Sequence, residues 1–375
     1  MNALHELLEH GQSFWLDNLS REMIADGELA RRVAEEGLRG VTSNPAIFHK
    51  AITEGAEYDA DIARSAAEGL GVTQTYERLV VADVRAACDI LHPVWIESDG
   101  VDGYVSLEVS PHLANDTDAT LDEAVRLYRD VGRDNVLIKI PGTPAGVPAI
   151  RQAVFEGVSV NVTLLFAIDA YEAIAEAYVD ALERRLEAGR RVDDVASVAS
   201  FFLSRIDSLT DARIETLAES AGEPAAAELR SLRGEAAVAN AKLAYESFEN
   251  RLDTDRWRRL AEAGAKPQRM LWASTSTKNP EYSDVKYVEP LIGAFTINTM
   301  PESTVDAFRD HGVVADTVRS GLPAARATME RLAAAGIDFG DVTDQLLEEG
   351  VEKFVVPFDR LLGSLEERLG SLVPG

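Results

Sequence analysis

The chain has 375 residues, 46% of them hydrophobic, enough to bury the core of one large α/β domain or two ordinary ones. Its formal net charge of -27 argues against binding nucleic acid or an anionic membrane surface through bulk electrostatics, while leaving room for a small anion held by local cations. Cys88 is the only cysteine, which excludes a disulfide framework and a thiolate metal site, and no apolar window approaches membrane-spanning length.

No basic segment followed by an apolar stretch and a cleavage site opens the chain, so a cytoplasmic location is expected. After a first helix at ALHELLEH, strands are predicted at SFWLDN, GVTSNP, GYVSLEVS, NVLIKIP, VSVNVTLLF, VASVASFFLS, RMLWASTS and AFTINTM. Amphipathic helical runs separate them, among them TLDEAVRLYRDVG, AIDAYEAIAEAYVDALERRLEAG and STVDAFRDHG. Cys88 falls in one such run, VVADVRAACDIL, as a buried helix residue. The longest interval between strands, about 206–264, reads as a helical excursion, and EKFVVPFDRLLGSLEERLGSL reads as a helix packed over the rest. Eight strands alternating with helices predict a single (β/α)₈ TIM barrel with additional helices spanning residues 1–375. A doubly wound open sheet is the competitor, but its Gly-rich first turn is missing.

Residues two apart on a strand share a face. Val105, Leu107 and Val109 therefore oppose Tyr104, Ser106 and Glu108; Val136, Ile138 and Ile140 oppose Leu137 and Lys139; Val160 and Val162 oppose Asn161 and Thr163. Phe14 and Leu16 oppose Trp15 and Asp17, and Phe295 and Ile297 oppose Thr296 and Asn298. One face suits packing under helices. If the other points into the barrel, Asp17, Asn44, Glu108, Lys139, Asn161, Thr163, Ser200, Ser274 and Asn298 converge on the mouth where such barrels build active sites.

Lys139 carries the most information. It sits between Ile138 and Ile140 in a chain with only seven lysines. An ammonium is costly to bury, and burial favours the free amine that a Schiff-base nucleophile needs. A structural ion pair with Glu108 or Asp17 is the alternative. Together the three also make an acid/base set. His112 lies four residues from Glu108 but across a strand end and a loop, which does not suit a metal pair. No phosphate loop, dinucleotide fingerprint or zinc pattern occurs, so neither cofactor nor metal is expected. Arg205 follows the sixth strand and Lys278 the seventh, and the two suit a phosphate group.

The segments GVTSNPAIF, VSLEVSP, VLIKIPGT, VSVNVTLLF, SFFLSRID and LWASTSTKNPEYSD, in that order, resemble the transaldolases, specifically the larger bacterial and plant-type subfamily. The smaller fructose-6-phosphate aldolases share the lysine but are much shorter and lack a glutamate corresponding to Glu108. The resemblance implies that Lys139 forms a Schiff base with a ketose phosphate and that Asp17 takes the C4 hydroxyl proton as the C3–C4 bond breaks. It implies that Glu108 and Thr163 position a water, that Asn44 and Asn161 hold the dihydroxyacetone unit near Ser200, and that Phe202 keeps the pocket apolar and limits hydrolytic loss of the intermediate. Arg205 and Lys278 would hold the phosphate; the small subfamily usually has arginine at the second position. Implied partners are small sugar phosphates of the non-oxidative pentose phosphate pathway, with no nucleic acid and no membrane. Two rival functions stand beside transfer: an aldolase that releases free dihydroxyacetone, and a non-catalytic sugar-phosphate-binding barrel. The sequence is compatible with a monomer or a homo-oligomer.

Overall fold

The computed structural model describes residues 2–372. Eight parallel strands close on themselves in sequence order: β1 (Gln12–Leu16), β2 (Gly40–Val41), β3 (Tyr104–Glu108), β4 (Val136–Pro141), β5 (Val160–Leu165), β6 (Ser197–Phe202), β7 (Arg269–Ala273) and β8 (Thr296–Met300). β8 returns to pair with β1, so no strand edge is left open. Every strand residue is buried, as expected when helices cover one face and the barrel interior the other.

Directly paired residues on neighbouring parallel strands share a face, so the register identifies the inward set. Glu108 pairs with Lys139, Lys139 with Asn161, and Ser200 with Leu271. At the first strand, Trp15 pairs with Gly40 and with Thr299. A side chain on Gly40 would lie 2.4 Å from the Trp15 indole, so the glycine makes the space that an inward tryptophan needs.

β8 corrects the strand-parity expectation. Ile297 pairs with Leu271 and Asn298 with Trp272, which places Ile297 and Thr299 inside and Asn298 on the outer face. The reason lies in the connection before it. Where a helix would normally cover this flank, the chain between β7 and β8 forms only a short 3₁₀ turn at Glu289–Leu291. Its carbonyls need donors, and outward side chains supply them: Gln12 and Trp272 donate to the Leu291 carbonyl (2.8 and 2.9 Å) and Asn298 to that of Tyr287 (3.1 Å). Polar residues therefore point out here.

Helices Ser204–Glu219, Glu223–Arg230, Ala236–Leu252 and Asp255–Glu262 fill the interval between β6 and β7. Cys88 is buried in the helix Val72–Glu97. The C-terminal helix is longer than the sequence pattern suggested, running from Phe339 to Leu372 through Pro357. Among the described residues, no helix is long and apolar enough to cross a membrane.

Candidate active site

β2 is cut short because the chain turns at once into a helix beginning at Pro45, with Asn44 as its N-cap. The Asn44 side-chain oxygen accepts from the amides of Ala46 and Ile47, which fixes the side chain and leaves its NH₂ group free to face the barrel mouth. There a cavity of about 240 Å³ is lined by Asp17, Asn44, Lys139, Thr163, Ser200, Phe202, Arg205, Ser274 and Lys278, all singled out from sequence. Thr42, Thr275, Ser276, Thr299 and Phe354 also line it.

Lys139 is buried, with its ammonium group donating to the Ser43 carbonyl at 3.1 Å. The nearest Glu108 oxygen is 3.7 Å away, an ion pair too long for a hydrogen bond. Both Glu108 oxygens and the Thr163 hydroxyl are buried without a hydrogen-bond partner among the described residues. Burial pushes the Glu108 carboxyl up to about 7 against the opposing charge of Lys139, with Asp17 adding to the rise. Such a group exchanges protons near neutrality.

Asp17 follows β1. Desolvation raises its carboxyl above the usual range; Lys139 and a hydrogen bond from Thr42 oppose the rise. Thr42 donates to Asp17 at 2.7 Å and, its one proton so engaged, accepts from Thr299 at 2.7 Å. Two threonines thus fix one carboxylate, and sequence reading passed over both. Continuing the alternation from Gly40 would have turned Thr42 inward, whereas Thr299 was lost with the reversed parity of β8.

Asn161 is adjacent to the cavity without lining it. Its amide donates to Ser106 at 3.0 Å and its oxygen accepts from Ser200 at 2.6 Å, so the side chain buttresses Ser200 from below. Glu108 likewise sits behind Lys139 and borders a second cavity with Tyr76 and His112.

Arg205 opens the helix after β6 with its guanidinium 5.3 Å from the centre of the Phe202 ring, and Lys278 reaches in from the loop after β7, bonded to Ser276 at 2.6 Å. Among the described residues neither forms a salt bridge. Desolvation depresses both cations, and Arg205 depresses Lys278 further. A bound dianion would relieve this. Between them Ser274 holds a left-handed backbone (φ 54), an uncommon conformation for a non-glycine residue and one concentrated at functional sites.

A profile of the transaldolase/fructose-6-phosphate aldolase family matches residues 14–365. A protein named transaldolase from Trichodesmium erythraeum (strain IMS101) is 49% identical over the whole of this chain and 99% of its own. One named transaldolase 2 from Nostoc sp. (strain PCC 7120 / SAG 25.82 / UTEX 2576) is 50% identical over 100% of this chain and 99% of its own. A transaldolase from Parafrankia sp. (strain EAN1pec) is 49% identical over 98% of each chain. The barrel, the mouth that its strand ends build and these full-length similarities lead to one assignment: the chain belongs to the transaldolase/fructose-6-phosphate aldolase family.

Proposed function

We propose that this protein is a cytoplasmic transaldolase that moves a dihydroxyacetone unit from a ketose phosphate to an aldose phosphate through a Schiff base on Lys139. The observation that carries the reading is a buried lysine in a cavity that also holds two cations without a salt bridge among the described residues. Nζ attacks the ketose carbonyl, and Glu108 with Thr163 serves the proton transfers of carbinolamine dehydration. Asp17 takes the C4 hydroxyl proton as the C3–C4 bond breaks. The protonated imine accepts the electron pair, leaving a lysine-bound enamine that attacks the incoming aldose. Asn44 and Ser200 bind the three-carbon unit, with Asn161 acting through Ser200. Substrates of the non-oxidative pentose phosphate pathway, sedoheptulose 7-phosphate and fructose 6-phosphate, have the required phosphate and ketose ends. The test is product analysis with fructose 6-phosphate and erythrose 4-phosphate. Sedoheptulose 7-phosphate and glyceraldehyde 3-phosphate are expected; free dihydroxyacetone as the main product would make the protein an aldolase.

Arg205→Ala is expected to raise the KM for fructose 6-phosphate about 10- to 100-fold, as loss of a charge-assisted contact to phosphate implies, with a smaller effect for Lys278→Ala. Steady-state kinetics with phosphorylated and unphosphorylated ketose check this, because only the former should respond.

Glu108→Gln should slow adduct formation about 10²- to 10⁴-fold, the usual contribution of a positioned acid/base. In the native protein, dehydration should slow as pH rises through about 7, where Glu108 loses its proton. That inflection should be absent from the variant in stopped-flow profiles. The same shift links to stability: folding raises this carboxyl, so its contribution is fully present below the ordinary carboxylate range and is lost as pH climbs through about 7.

A further inference from the structure

We propose that Phe354, brought to the barrel mouth by the C-terminal helix, is a second aromatic beside Phe202 that keeps solvent from the lysine-bound enamine and so favours transfer over release; this rests on the Schiff-base reading above. The helix packs closely on β5 at Gly350. A side chain there would lie 3.0 Å from Leu164, which itself holds a left-handed backbone (φ 61) at the irregularity in β5. Residues four apart share a helix face, so the turn after Gly350 directs Phe354 to the same side. It is buried, lines the substrate cavity, and has its ring centre 5.5 Å from the Lys139 nitrogen. Phe202, the other aromatic lining the cavity among the described residues, packs on Phe166 and faces Arg205, toward the phosphate end. The aromatic beside the reacting nitrogen therefore comes from the far end of the chain.

The chemistry gives that ring a consequence. In transfer, the enamine carbon bonds to the aldose carbonyl carbon and the carbonyl oxygen gains a proton. In release, a solvent proton adds to the enamine carbon to give the iminium, and water then adds to its C=N carbon. The C–N bond breaks, the proton returns to solvent, and dihydroxyacetone and the lysine amine leave with one water consumed. Product imines must also be hydrolysed, but the water for that step belongs on the Glu108 side, behind the lysine. Phe354 occupies the substrate side, where adventitious water would protonate the enamine.

Phe354→Ala should raise the ratio of free dihydroxyacetone to transfer product about tenfold, and Phe354→Leu, leaving a smaller gap, about threefold. Leu365→Ala removes buried packing from the same helix without touching the cavity and should leave the ratio unchanged. Borohydride trapping on each variant keeps the two ideas apart. An unchanged ratio in folded Phe354→Ala or Phe354→Leu that still trap adduct on Lys139 overturns the role of Phe354 alone. An equal rise in Leu365→Ala would make the effect one of general helix packing and also overturn it. Absence of adduct from the wild-type protein would overturn the underlying reading instead. Should the alanine variant not fold, the leucine variant decides.

Discussion

Lys139→Met is expected to lower transfer by at least about 10⁴-fold while the barrel stays folded, because a covalent route is lost and not merely weakened. Methionine fills much of the same space and needs no partner at the buried site. The only other amine lining the cavity among the described residues, that of Lys278, is hydrogen-bonded to Ser276 at the phosphate end and cannot substitute. Since Arg205 and Lys278 remain, fructose 6-phosphate should still bind, which calorimetry can check. Glu108 supplies an internal control. The Lys139 charge is the main influence holding its carboxyl down, so the variant should titrate Glu108 still higher. Residual transfer within tenfold of wild type would mean that the amine is not the nucleophile.

At the opposite end of the barrel, Arg269→Leu is expected to cost about 3–5 kcal/mol of stability, the usual result of breaking a buried ion pair on one side. Arg269 and Asp102 are both buried and meet at 3.0 Å. The guanidinium also donates to the Ser13 hydroxyl (2.6 Å) and to the carbonyls of Thr296 (2.8 Å) and Val101 (3.1 Å). Asp102 in turn accepts from Ser13 at 2.7 Å and from the Trp15 indole at 3.1 Å. One network thus ties the starts of β1, β7 and β8 to the segment before β3. This is the face of a barrel that serves stability, so kcat below the melting transition should change little. Lysine at 269 should rescue only in part, since it lacks the planar fork that reaches several acceptors. Denaturant melts of Arg269→Leu, Asp102→Asn and the double variant would test the coupling. The double variant should lose less than the sum of the singles.

What could be read from sequence depended on periodicity. Lys139 between two isoleucines, and Glu108 and Thr163 on strands with a clear apolar face, carry their orientation in their neighbours, and the register bears it out. The β8 reading failed because a strand covered by irregular chain needs outward donors, which reverses the usual polarity; Asn298 shows this directly. Phe354 had no local signal at all. Its place depends on a helix some two hundred residues beyond Lys139 docking over the mouth, with Gly350 packed against Leu164. Asn161 illustrates a further limit: alternation gives its face, but its depth below the cavity comes from hydrogen bonds to Ser106 and Ser200.

The most direct test of the mechanism is borohydride reduction of the wild-type protein with fructose 6-phosphate, followed by intact and peptide mass analysis. The expected result is a dihydroxyacetone-sized adduct on Lys139 that is depleted when erythrose 4-phosphate is added before the reductant. A folded protein that binds the sugar phosphate yet forms no adduct, or forms one on another lysine, would contradict it.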